Sequence, residues 1–106
     1  MNNTLNEIPA DELLIGLVLF GVEASSAATA TAKEQRIAIN ALFDGLLSDM
    51  PKKKRRAHIS NVTDALVSNG ALRVNPTSQR LAFHNVAGPF TQSLAKIKAA
   101  LAEELK

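Results

Sequence analysis

The stretch PKKKRRAH, residues 51 to 58, sets five consecutive cations, Lys52, Lys53, Lys54, Arg55 and Arg56, behind a proline in a chain of 106 residues whose net charge is only +2. Side chains of this kind grip phosphate, because each phosphate they neutralise releases condensed counterions from a nucleic acid. The solvated start of a helix would carry the same residues. Cations at a helix N-terminus oppose the macrodipole, however, and that local cost stays unexplained unless an anion is bound there. A nuclear import signal shares the composition, but such a signal is read as an exposed extended segment, whereas this run abuts a predicted helix inside one domain. Contact with nucleic acid is the use expected of it.

Other residues able to do chemistry are few. Arg73 and Arg80 flank a turn on the polar face of a predicted hairpin, where ordinary solvation accounts for them when they are taken alone. Between the two basic sites, Ser60, Asn61, Thr63 and Ser68 are small polar residues suited to base edges, asparagine best to adenine. Asp64 stands among them, an acid that repels phosphate. His58 and His84 have no neighbour at ligand spacing, so no metal site is expected. Cysteine, tyrosine and tryptophan are absent, which removes disulfides, thiolate metal sites and thiol nucleophiles. No nucleophile elbow, phosphate loop or paired-carboxylate pattern occurs, and neither an enzyme nor a cofactor is expected. Four phenylalanines are too few for stacking platforms that bind single strands or RNA.

Charge is distributed unevenly. Residues 1 to 50 hold two cations and seven acids, net −5, whereas residues 51 to 106 hold ten cations and three acids, net +7. Such asymmetry points to an anionic partner for the basic half. The length allows one core and not two, and 46% apolar residues place the chain among globular proteins rather than disordered ones. The most apolar run, LLIGLVLFGV at 13 to 22, is about half of what a membrane span needs, and acids precede it. A cytoplasmic protein with no membrane partner is expected, bacterial or nucleoid-associated.

Mostly helical elements must position these residues. Pro9, Asp11 and Glu12 suit the first turn of a helix, followed by Leu13, Leu14, Leu17, Val18, Phe20 and Val22, apolar on most sides and so buried in a core or a dimer interface. Gly16 and Gly21 weaken that helix and mark the close approach of another backbone. A small-residue linker, 24 to 32, leads to an amphipathic helix from about Thr31 to Ser48, with Ile37, Ile39, Ala41, Leu42, Leu46 and Leu47 on its apolar face. The next helix carries Ile59, Val62, Ala65 and Leu66 and stops at Asn69-Gly70. Either Ser60 caps a short helix, or Asp49 and Pro51 open a long one that includes the basic run. Alternation in ALRV and RLAFH around NPTSQ predicts a β-hairpin. A closing helix presents Phe90, Leu94, Ile97, Leu101 and Leu105 as a seam that wants a partner.

The string HISNVTDALVSNGALRVNPTSQRLAF, through Val62, Ala65, Leu66, Asn69-Gly70, Leu72 and the Leu81/Phe83 pair, resembles the second half of a winged helix-turn-helix domain. That resemblance implies a recognition helix in the major groove and a wing on the backbone or minor groove. The resemblance covers about a quarter of the chain; with the length and a separate likeness to small winged-helix regulators that dimerise through terminal helices, one winged-helix-like domain is expected over 1 to 106: an N-terminal apolar helix and linker at 1 to 32, helix-turn-helix and wing at 33 to 84, and a dimerisation helix at 88 to 106. The fold class expected is mainly α with a two-stranded β-hairpin. The function expected is that of a small homodimeric double-stranded-DNA-binding protein in transcriptional regulation or DNA partition. Lys52 to Arg56, Arg73 and Arg80 would grip phosphates, Ser60, Asn61, Thr63 and Ser68 would enter the groove, and Leu13, Leu17, Phe20, Phe90, Leu94, Ile97, Leu101 and Leu105 would form the dimer interface. Asp64, and the polar MPKKKRRA where the family has its positioning helix, favour the alternative: a protein-interaction module of the same shape, such as a phage-encoded inhibitor or an assembly subunit, bound to a protein partner.

Overall fold

The computed structural model describes residues 8–26 and 30–104. In chain order the elements are α1 (Ala10–Ala24), α2 (Ala32–Leu46), α3 (Lys52–Ser68), β1 (Leu72–Val74), β2 (Leu81–Phe83) and α4 (Pro89–Glu104). The protein is mainly α, with one antiparallel two-stranded hairpin between α3 and α4. Among the described residues no helix is long and apolar enough to cross a membrane.

Helix α1 is the centre of the packing. Asp11 and Glu12 occupy its first turn, where acids complement the dipole, and Leu17, Val18, Leu19 and Val22 are buried. With so little polar relief, it packs against α4, α2, α3 and β2 at once. Both of its glycines are sites of close approach. A Cβ on Gly16 would overlap Ile97 Cγ1 and lie 2.7 Å from the carbonyl oxygen of Ser93 in α4, and one on Gly21 would lie 2.7 Å from Ile39 Cγ1 in α2. Only hydrogen fits at either position.

Helix α4 returns along α1, burying Ser93, Leu94, Ile97 and Ala100. Ion pairs from Lys96 to Glu12 at 2.8 Å and from Lys98 to Glu23 at 2.6 Å close the edges of this contact. The seam expected between subunits is thereby filled within one chain: Leu17, Leu94 and Ile97 are buried in the monomer, and Leu13, Phe20, Phe90 and Leu101 are half-buried against the same core. Two apolar helix faces lose the same surface to burial whether the partner face lies in the same chain or in another, and here α1 and α4 supply it to each other. Leu105 lies outside the described residues.

Helix α2 opens with a capping box, Thr31 Oγ1 accepting from Glu34 N–H and Glu34 Oε1 accepting from Thr31 N–H, each at 3.1 Å. The Thr-x-x-Glu spacing is a sequence signal for this start. Its buried stripe is Gln35, Ile39 and Phe43. Ile37, expected on that face, is 56% exposed, and Ala41 is exposed with it, because residues two apart on a helix do not share a side. Helix α3 ends as expected at Asn69, where Gly70 takes φ 86°.

Gly16→Ala should destabilise the fold by about 1–3 kcal/mol through overpacking against the α4 backbone, read as a lower urea midpoint at unchanged slope. Gly45, which meets nothing within 4 Å, should accept alanine with no such loss.

Candidate nucleic-acid interface

Pro51 precedes Lys52, the first residue of α3, so the long helix forms and Ser60 lies inside it. The first turn contains no acid and Pro51 provides no side-chain cap. Lys52, Lys53 and Lys54 are exposed there, so the positive end of the dipole and three ammonium groups share one place.

Arg55 and Arg56, grouped with the lysines in the sequence reading, turn back onto α2 instead. Arg55 Nε donates to Asp44 Oδ1 at 2.9 Å, while Arg56 donates through Nη1 to Oδ1 and through Nη2 to Oδ2, each at 2.9 Å. Arg55 Nη1 also donates to the carbonyls of Leu47, at 3.4 Å, and Met50, and the Arg55 side chain is only 12% exposed. One carboxylate and two carbonyls thus use these guanidinium groups to fix the turn from α2 into α3. Chiefly through the Arg56 hydrogen bonds, with Arg55 adding to them against partial desolvation, the Asp44 carboxyl is held below its ordinary value of 3.8, at about 2. The Arg56 guanidinium is pushed up by the same contact.

Beyond the lysines, one side of α3 carries Ile59, Val62 and Leu66 against the core. The opposite ridge, all exposed, is Lys53, Ala57, Ser60, Asn61, Asp64 and Ser68. Ser60, Asn61 and Ser68 are therefore brought onto one surface, while Thr63 is half-buried to the side. Apart from Lys53 the ridge has no long side chain, so another surface can approach the helix closely.

In the hairpin, Leu72 pairs with Phe83, Arg73 with Ala82 and Val74 with Leu81. Asn75 Oδ1 accepts from the N–H groups of Thr77 at 2.8 Å and Ser78 at 3.0 Å, and Gln79 adopts φ 62°, so the tip is closed by its own residues. Arg73 is exposed, whereas Arg80 is half-buried and shares a groove with Val22, Glu23 and Ser26 at the end of α1. The two wing arginines consequently serve different surroundings.

The hairpin is tied to α2 by a residue the sequence reading missed. Gln35, 2% exposed, donates through Nε2 to Leu81 O at 2.9 Å and accepts at Oε1 from Leu81 N–H at 2.7 Å. A lone amide in register with Ile39 and Phe43 was its only sequence signal; Asp44 carried none. Between α2, α3 and the hairpin lies a cleft of about 400 Å³, with Ile39, Ile59 and Leu81 in its wall and Arg36, Ser60, Thr63 and Asp64 also lining it. Arg36, exposed at this opening, was likewise not singled out from sequence.

No protein-family model, curated protein or solved structure matches this chain.

Two outcomes test the Asp44 and Gln35 contacts. Because Asp44 is depressed in the folded state, its contribution to stability is complete above about pH 4 and is lost as the pH falls toward 2; melting temperature across this range should fall more steeply for the native protein than for Asp44→Asn, which starts less stable. Gln35→Leu should destabilise by about 1–3 kcal/mol, since it strands both backbone groups of Leu81, and amide exchange at Leu81 should quicken far more than at Leu17.

Proposed function

We propose that this chain binds duplex DNA in the manner of a winged-helix module, with α3 entering the major groove and the hairpin beside it, and serves transcriptional regulation or DNA partition. The observation that carries this reading is the co-location of exposed Lys52, Lys53 and Lys54 at the positive end of α3 with the short-side-chain ridge Ala57, Ser60, Asn61 and Ser68. Lysines there bind phosphate and orient the helix; the ridge lets the helix axis approach base edges closely enough for Ser60 and Asn61 to reach them.

The phosphate grip in this reading consists of the three lysines and exposed Arg73. Arg55 and Arg56 support it indirectly, by holding the first turn of α3 at a fixed angle to α2. Binding is proposed for the single chain, since the seam that carried the expectation of a homodimer is covered by α1 and α4 themselves. One observation favours the second reading, a protein-interaction module: a groove of about 320 Å³ among α1, α3 and α4 exposes parts of Leu14, Ile15, Val62 and Phe90.

Fluorescence anisotropy with random-sequence duplex across a salt series separates the two. The native chain should bind with a steep salt dependence, and a variant with glutamine at residues 52, 53 and 54 should lose about 0.9 of slope for each phosphate contact removed. No binding at low salt would overturn the DNA reading in favour of a protein partner.

A further inference from the structure

Asp64 is misplaced for a surface that merely grips DNA. It is exposed in the middle of the outer ridge of α3, at the lip of the cleft that runs toward the hairpin, and it joins none of the ion pairs among the described residues. Its neighbours at four positions either way, Ser60 and Ser68, are short and Asn61, three positions before it, is of equal length, so nothing in that part of the ridge overtops the carboxylate. Phosphate oxygens only accept hydrogen bonds, and a carboxylate facing them is repelled. A non-specific binder gains nothing from an acid at this point.

A major groove offers a carboxylate a donor at two places only, the amino groups N4 of cytosine and N6 of adenine; guanine presents two acceptors, and thymine an acceptor and a methyl group. The two amino groups are not equivalent. Adenine N6 sits beside N7, whose lone pair opposes the carboxylate, whereas cytosine N4 is flanked by a C–H. We propose that Asp64 reads cytosine, accepting a hydrogen bond from its N4 amino group, and that this carboxylate makes recognition by α3 sequence-specific by penalising guanine and thymine at the same step. The inference rests on the duplex-binding reading and names the base at its centre.

The test begins with duplexes selected from a randomised library by the native chain, and compares native protein with Asp64→Ala and Asp64→Asn, each checked for unchanged helical content. Native protein should enrich a C·G pair at one fixed position. Replacing that cytosine with 2-pyrimidinone, which lacks the amino group, should weaken native binding about tenfold or more and leave Asp64→Ala affected less than about twofold. Asp64→Asn, which can donate as well as accept, should relax the preference at that position alone. Selection without a fixed cytosine, or an Asp64→Ala variant that binds all duplexes more tightly by one common factor, would overturn the inference while leaving duplex binding intact. Failure of native protein to bind any duplex in the salt series would remove the parent reading too, and is recognisable before any selection begins.

Discussion

Everything else in this fold leans on the close approach of α1 to its neighbours. Gly16 brings α1 onto the backbone of α4, and Gly21 brings it onto Ile39 of α2. Because α1 is apolar nearly all round, these contacts, with those to α3 and β2, remove most of its surface from water in a chain with few aromatic side chains to fill a core. Burial of that kind supplies the main favourable term in folding. The two glycines weaken α1 as an isolated helix and make it the axis of the folded one.

On this axis the candidate interface is built from two polar fasteners. Asp44 joins the end of α2 to the start of α3 through Arg55 and Arg56, and Gln35 joins the start of α2 to the hairpin through Leu81. Helix α2 thereby sets both the angle of the helix that carries the lysines and the place of the hairpin beside it. Neither fastener is a surface decoration. Gln35 is buried and the Arg55 side chain is only 12% exposed, and a buried polar group that loses its partner is costly.

Local signals in the sequence were enough for the order of the elements, though they left the start of α3 open between Pro51 and Ser60. Apolar density marked α1, Asn69-Gly70 marked the end of α3, and alternation around NPTSQ marked the hairpin. The pairing of α1 with α4 was beyond such signals, because an apolar seam has the same pattern whether its partner is in the same chain or another. Run-counting similarly grouped five cations that the fold divides. Asp44 is 11 and 12 residues from its arginines, and Gln35 is 46 residues from Leu81; no period in a sequence reports a contact across a turn or between distant segments. Spacing also put Ile37 on an apolar face that is narrower in the fold, where Ile37 is exposed.

The hairpin tip behaves as a detachable part. Gln35 grips the strand at Leu81, and from Asn75 to Arg80 the chain closes on itself through the Asn75 carboxamide and the Asn75–Arg80 backbone bond. Residues 76 to 79 between them are all exposed. Exposed tips of this kind absorb insertions and substitutions readily, so the length and charge of this loop can be exchanged in the laboratory while the helices beneath keep their arrangement.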